Sequence, residues 1–505
     1  MGLHGSRVPA LALLAGSMLF VISPPSAKAI PAFARMHKTT CQTCHIGFPK
    51  LNAFGEAFRL GGYRMPGEMQ PEEKQQPLAG EAMPPKGGTE TMPGQAETKP
   101  ADAGMKPMPG MASPRTEGKT PPPAAETRMW PQAIWPSDMP ARIPLALNVK
   151  MASVYASSLD ENGRSVTKND FQFPQEANLF AGGTLGEHMS FLTEVTWAEN
   201  PDGSSGTELE HASLHINSPF GPRNLVNFKI GKLAPDLADG FQEMWISTDN
   251  PIETLFAFNP IGMNGGTGLS ENMGAISLPA MVKGIEMYGV AAHRFFYTAG
   301  IVNGLGPSSS GNTDGNASKD VYARVDYKFG GMGLDGDTTG VTLPPENWRE
   351  RSLRVGLLGY SGNGKGIDFP MQDASGMPVN IQDRTFNRAG VYGSWYFDDL
   401  NLFGVYLRGR DQLDTFGQDG VRITRFNGNY NTWFLQSDYV IVPPLQVSLR
   451  YENLRPADRQ AQSLRFLNAS LSFFAYVNVK AMLEYRRDLR ESKNYSLDTV
   501  LRFAF

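Results

Sequence analysis

The chain has 505 residues, 46 Lys+Arg against 50 Asp+Glu for a formal charge of −4, and 41% hydrophobic residues. A mean hydropathy of −0.31 with 19% charged residues excludes a helical membrane bundle and a disordered acidic protein. The near-neutral balance gives no electrostatic reason to expect a nucleic-acid partner, and two cysteines cannot build a disulfide framework.

Residues 1–29 read as a cleaved signal peptide. Arg7 gives a positive start, Val8 to Ile22 is an apolar run too short to span a bilayer, and Ala27-Lys28-Ala29 follows Pro24-Pro25 as an A-x-A cleavage site. The chain is therefore expected to be exported.

Residues 30–65 carry the sharpest signal, Cys41-Gln42-Thr43-Cys44-His45. C-x-x-C-H is the attachment pattern of a c-type haem. On a helix, positions three apart share a face, so both thiols reach one porphyrin and His45 lies beneath the iron as proximal ligand. A thioredoxin-like pair would need a βαβ context that is absent, and a disulfide across two residues closes almost no loop. Met65, twenty residues beyond His45, is the preferred distal ligand, because a thioether raises the haem potential. His37 is the alternative and implies a lower potential. Met36, Met69 and an open position also remain.

Residues 66–140 hold 16 of the chain's 38 prolines and no apolar periodicity. Such a segment buries too little surface to offset its chain entropy and reads as an extended linker. Its Met105, Met108 and Met111 could bind Cu(I) as thioethers, but a Met/Pro-rich tether explains them more simply.

Residues 141–505 alternate. Val321, Ala323, Val325, Tyr327 and Phe329 interleave with Tyr322, Arg324, Asp326 and Lys328, and Leu445, Val447, Leu449 and Tyr451 with Gln446, Ser448, Arg450 and Glu452. A period of two puts each set on one face of a strand. Strands of about 10 to 13 residues suit a tilted membrane strand better than a soluble sandwich. Tight turns at Asp398-Asp399 and Val442-Pro443-Pro444 alternate with expected long loops at Asn250–Asn272 and Gly362–Thr385. The fold class is an all-β transmembrane outer-membrane barrel of about 16 antiparallel strands, with a small α-helical N-terminal haem segment. A barrel of that size is expected to keep an aqueous lumen, here lined by charges of both signs. His211 and His215 fall in the alternation with Leu209 and Ser213 and read as lumen or interface residues. The last strand places Tyr495, Leu497, Thr499, Leu501, Phe503 and Phe505 on one face. That ending resembles the C-terminal signature of bacterial outer-membrane barrels, which implies recognition by the barrel assembly machinery and contact with outer-membrane lipid.

Around the haem motif stand Pro31-Ala32-Phe33-Ala34-Arg35, Phe48-Pro49-Lys50-Leu51-Asn52-Ala53-Phe54-Gly55 and Phe58-Arg59-Leu60-Gly61-Gly62-Tyr63. This stretch resembles the N-terminal segment of the fused monohaem cytochrome c–porins of bacterial outer membranes, the Fe(II)-oxidising type. The resemblance implies one covalent haem c held by Cys41, Cys44 and His45, electrons taken from extracellular Fe(II), and a periplasmic cytochrome or other carrier as acceptor. If the protein is an enzyme, it is then an Fe(II)-oxidising oxidoreductase. The family has a short connection where residues 66–140 intervene here. As a flexible coil that linker spans roughly 50 Å, more than the ~30 Å hydrocarbon layer, so the sequence leaves open whether the haem lies inside the barrel. A diffusion porin with an accessory haem and an electron-exporting conduit are the alternative functions.

Overall fold

In the computed structural model the N-terminal stretch folds as α1 (Ala32–Met36), a 3₁₀ turn at Cys41–Thr43, the short hairpin β1 (His45–Gly47) and β2 (Lys50–Leu51), and α2 (Ala53–Leu60). The structure describes residues 32–37, 39–66, 145–159, 162–199, 203–238, 246–256, 278, 281–304, 317–372, 378–417, 419–455 and 463–505. They belong to one unit made of 1–67 with 138–505. The expected signal peptide, the linker beyond Pro66, and Met69, Met105, Met108 and Met111 lie outside the described residues.

Sixteen strands close into an antiparallel barrel, the number expected. The first half comprises β3 (Leu145–Leu159), β4 (Ser165–Leu185), β5 (Met189–Glu199), β6 (Ser205–Asn217), β7 (Asn227–Leu233), β8 (Val282–Ala291), β9 (Phe295–Asn303) and β10 (Lys319–Gly330). The second comprises β11 (Glu350–Gln372), β12 (Pro378–Asp398), β13 (Leu400–Gly417), β14 (Arg422–Val442), β15 (Leu445–Arg455), β16 (Leu464–Tyr476), β17 (Val479–Asp488) and β18 (Tyr495–Ala504). Each pairs with its sequence neighbours, and β18 closes on β3 from Tyr495 opposite Ser157 to Ala504 opposite Asn148. Leu147 and Phe505 exchange backbone hydrogen bonds of 2.7 and 2.8 Å at this seam.

The alternation is realised as the physics requires. Val321, Val325, Tyr327 and Phe329 point outward and are exposed, while Tyr322, Arg324, Asp326 and Lys328 are buried within. Outward aromatics form two levels. Phe295 with Tyr297, Tyr327 with Phe329, Trp395 with Phe397, and Phe503 with Phe505 ring one end, and Tyr155, Tyr485 and Tyr495 with Trp433 and Tyr451 stand farther along. On β18 the two levels, Tyr495 and Phe503, are eight residues apart, about 26 Å at 3.3 Å per residue. An apolar band between aromatic girdles on a closed barrel is the outer-membrane form.

Two expectations need correction. Residues 362–385 are mostly strand, because β11 runs to Gln372 and β12 restarts at Pro378. The Gly- and Asn-rich composition reads as loop, yet each strand satisfies its partner's backbone groups, and irregular register after Gly364 and Asp368 absorbs the poor strand formers. The long strands thus reach 21 to 23 residues, well beyond the expected length.

The lumen is also not simply aqueous. Residues 246–256, ending in α3 (Glu253–Phe256), run inside it along β14, β15 and β17. Arg450, fully buried, donates to the carbonyls of Asn250 and Pro251 at 2.8 and 2.9 Å and pairs with Glu452 at 2.8 Å. Glu452 in turn accepts from the Thr254 backbone at 3.0 Å, and Glu484 from that of Asp249 at 2.7 Å. The mixed lumen charges foreseen from the alternation are there, but many neutralise an inward-folded chain instead of facing water. The expected loop Asn250–Asn272 therefore begins inside the barrel. Its residues after Phe256 lie outside the described set.

Candidate haem site

The N-terminal stretch lies in the lumen at the end where β12 and β13 are joined by one residue and β14 and β15 by two. Both ends of the barrel sheet are there too. Short turns mark the periplasmic side of such barrels.

The segment is fastened on every side. Phe48 donates its backbone N–H to the Val477 carbonyl at 3.4 Å. Lys50, buried, donates to Asn401 at 2.6 Å and pairs with Asp438. The Gly62 carbonyl accepts from Ser190 at 2.6 Å and Asn217 at 3.3 Å, and the Met65 carbonyl from Arg223 at 2.8 Å. Gly62 has φ +67, and an added Cβ there would meet Asn217 Oδ1 at 2.0 Å, so only glycine allows this approach to the wall.

Helix α2 is buried around its circumference. Phe58 packs with Tyr63 and Leu192, and Leu60 with Tyr288, Val290, Phe296 and Leu334. Arg59 donates to Glu56 at 2.7 Å and to Asp236 at 2.7 Å, and Arg324 reaches the same Asp236 at 2.9 Å. Burial opposes charge on Asp236, but Arg59, Arg324 and Lys229 outweigh it and hold its carboxyl below the ordinary range. Helices that are apolar on one face alone can lie on a surface, whereas this one needs a socket.

Asn52 joins α2 to the cysteine turn. Its Oδ1 caps the helix by accepting from Gly55 at 2.9 Å, its Nδ2 donates to the Gln42 and Thr43 carbonyls at 3.2 and 3.1 Å, and its N–H donates to the Cys44 carbonyl at 2.9 Å. Gly55 lets the helix pass so close that a Cβ would meet the Cys44 oxygen at 2.1 Å. Cys41 and Cys44 lie on a single 3₁₀ turn, closed by Cys44 N–H to Cys41 O at 3.2 Å, and not on the α-helix expected. Residues i and i+3 eclipse on that turn, so the two sulfurs still share a face.

These residues open onto one cavity of about 420 Å³ between the segment and strands β18 and β3 to β6. Cys41, Cys44, His45, His37 and Met65 all line it, as do Phe33, Phe58 and Tyr63 from the segment and Phe180, Leu192 and His211 from the wall. Met36 does not. Both cysteines are free thiols. Burial pushes the Cys44 thiol up to about 12, with Cys41 adding to the effect, and raises Cys41 as well. Burial also lowers His45 to about 4, keeping the imidazole neutral, against backbone contacts from Pro49 and Lys50. His45 Nδ1 lies 3.0 Å from the Pro49 carbonyl, which fixes the ring and leaves Nε2 available as the ligating nitrogen. The wall is shaped to the segment: a Cβ at Gly182 would meet the Phe33 ring at 2.7 Å. Two thiols on one face, a neutral oriented imidazole and an aromatic-lined cavity are the donor set and surroundings that a covalent haem c requires.

His211 and His215 face the lumen in a buried chain, His211 Nε2 to Ser213 Oγ at 2.9 Å, Ser213 Oγ to His215 Nε2 at 3.2 Å, and His215 Nδ1 to the Tyr288 hydroxyl at 3.0 Å. The simple alternation with Leu209 fails. Leu209 points outward, because the β5–β6 register shifts between Glu194 and Val195 and reverses the faces. Among the described residues no cluster of His, Cys, Asp or Glu could hold a separate metal ion. The wall residues at the cavity, Glu176, Glu194, Glu210 and Arg502, were invisible to sequence reasoning, since strand pairing distant in the chain assembles them.

No family model and no curated relative matches the chain. Solved outer-membrane proteins do. A loop L8 deletion form of OmpT from Vibrio cholerae is 13% identical with a TM-score of 0.45, covering 72% of this chain and 99% of its own. An anion-selective porin from Comamonas acidovorans is 12% identical with a TM-score of 0.44, covering 72% and 100%. OmpF of Salmonella typhi, in complex with daunomycin, is 10% identical with a TM-score of 0.45. The porin-like architecture of this chain rests on its own strand order, girdles and closure.

Proposed function

We propose that this chain is an outer-membrane c-type cytochrome that takes electrons from extracellular Fe(II) and delivers them to a periplasmic carrier. The observation that carries the reading is the convergence of Cys41, Cys44, His45, His37 and Met65 on one cavity inside the barrel. Cys41 and Cys44 would hold the porphyrin covalently, His45 would supply a nitrogen to its iron, and Met65 or His37 would be at hand as a second ligand. Haem c bound there supplies a one-electron Fe(III)/Fe(II) couple.

The residues divide the remaining work. Phe33, Phe58, Tyr63, Phe180 and Leu192 exclude water, and Asn52 and Gly55 hold the cysteine turn in place. The cavity lies level with the lower girdle, since Ala146, Asn148 and Ala504 line it. A periplasmic carrier therefore has the shorter approach, and Fe(II) reaches the site through the lumen from the opposite mouth. Each turnover oxidises one Fe(II) to Fe(III) and reduces the carrier by one electron. A diffusion porin with an accessory haem is the second reading, and the porin-like barrel favours it.

Mixing the purified haem-loaded protein with anaerobic Fe(II) in a stopped-flow spectrometer tests the reading. Prompt appearance of the reduced-haem spectrum is expected. A haem that stays oxidised under excess Fe(II), in a protein that conducts ions freely across a planar bilayer, would transfer the assignment to the porin.

A further inference from the structure

One row of charges in the wall is not explained by strand pairing. Lys480 on β17, Arg502 on β18 and Lys150 on β3 are direct cross-strand neighbours, all pointing inward and all buried. Like charges placed side by side on adjacent strands repel, and burial makes the repulsion costlier. Their compensation is thin. Asp249 pairs with Lys150 at 2.6 Å and reaches Arg502 only at 3.3 Å. Lys480 donates to the Ser247 carbonyl at 3.0 Å and makes no ion pair among the described residues. Glu176 stands opposite Lys150 on β4, while Glu484 on β17 and Asp498 on β18 accept from Asp249 and Asn250 of the inward chain.

Arg502 is the member of the row that reaches the cavity. It is 8% exposed, lines the cavity beside Asn148 and Ala504, and its Nε is buried with no hydrogen-bond partner among the described residues. A buried guanidinium that borders a cavity and keeps one donor without a partner favours an anion beside it. Of the other charged groups lining the cavity, Arg59 is already held by Glu56 and Asp236, and Glu176, Glu194 and Glu210 would repel an anion.

We propose that Arg502, backed by Lys150 and Lys480, is the anchor for the porphyrin carboxylates. The inference rests on the haem reading above and adds the orientation of the ring: carboxylates toward the β17–β18–β3 wall and away from the glutamates on β4 to β6. Arg502 then acts as a positioning and charge-balancing residue. A carboxylate near the iron favours Fe(III), and a cation beside it offsets that preference.

The test is a spectroelectrochemical titration of haem-loaded wild type, Arg502→Gln and Arg502→Lys between pH 5 and 8. Asp249 keeps Lys150 in each variant, and heat-modifiable mobility checks the barrel. Arg502→Gln is expected to move the equilibrium with a fixed mediator about tenfold toward oxidised haem, about 59 mV for one electron. It is also expected to make the potential rise as pH falls, because an unpaired carboxylate then takes up a proton. Arg502→Lys should restore most of both. Added acetate should leave the wild type unchanged. Haem present with potentials unaltered in Arg502→Gln overturns the anchor alone. An acetate-dependent potential in wild type but not in Arg502→Gln also overturns it, since the site then serves diffusing anions. Absence of covalent haem from the wild type overturns both the anchor and the haem reading.

Discussion

The barrel wall and the N-terminal segment satisfy their polar groups in opposite ways. Every wall strand is paired with the next one in sequence, and the seam closes through Leu147 and Phe505. The segment has an eight-residue helix and a two-strand scrap of sheet, too little to stand alone in water. Its charges are neutralised by the wall and its inward chain: Lys50 by Asp438, Arg59 by Asp236, and Glu56 by Arg354 at 3.1 Å. The wall is self-sufficient and the segment is its guest. Dependence should therefore run one way only.

The largest test of that asymmetry removes the chemistry without touching the socket. Cys44→Ala is expected to abolish stable covalent haem, read by in-gel peroxidase stain, while heat-modifiable mobility shows an assembled barrel. Simultaneous loss of both would break the one-way picture. Deleting Phe505 is the mirror experiment. It removes two seam hydrogen bonds and an aromatic, stacked on Phe503 at 5.9 Å, that is 40% exposed to lipid. Membrane-assembled yield should fall severalfold, and the haem of the residual barrels should be normal. Full yield would show that the terminal aromatic is dispensable.

Arg59→Ala sharpens the comparison from inside the socket. It removes one of the cations that hold Asp236, leaving Arg324 and Lys229, and strips Glu56 of a partner, all in buried surroundings. Breaking a buried ion pair by removing one partner costs about 3–5 kcal/mol. The cost falls on docking and not on strand pairing, so limited trypsin digestion should cut residues 32–66 in the variant while the barrel stays heat-modifiable. A segment as resistant as in wild type would mean that apolar packing by Phe58 and Leu60 suffices to hold it.

Sequence was informative where physics is local. A period of two gave the wall faces, Asp398-Asp399 and Pro443-Pro444 gave turns, and the Cys41–His45 spacing marked the residues that line the candidate cavity. It was blind where distant chain segments meet. Nothing near Arg59 signals Asp236, and nothing near Lys480 signals Lys150, because closure of β18 on β3 brings the C-terminus to residue 150. The inward path of residues 246–256 looked like an ordinary loop, since its partners Arg450, Glu452 and Glu484 lie some 200 residues away. The reversal at Glu210 was hidden for a different reason: one extra residue flips a strand face without changing composition.

The smallest expected effect concerns the second iron ligand of the proposed haem, for which the segment offers two candidates. Met65 packs with Phe33, Phe58 and Tyr63, and Arg223 holds its carbonyl. His37 stands edge-on to Phe58, with ring centroids 5.5 Å apart at 84°. Both line the cavity, so proximity alone does not separate them, but their chemistry does. A thioether preferentially stabilises Fe(II) haem, and an imidazole does so less. If the Met65 sulfur is the ligand, Met65→Ala loses the weak methionine–iron band at the red end of the oxidised spectrum and lowers the potential. A fall of about 59 mV is a tenfold change in the equilibrium with Fe(II). Docking should be nearly unaffected, because the Met65 backbone contact survives the substitution and the segment keeps Lys50, Arg59 and Gly62. An unaltered spectrum and potential in Met65→Ala, with both lost in His37→Ala, would reassign the distal ligand to His37. The couple would then have a lower potential, and Fe(II) would give up its electron to it less readily.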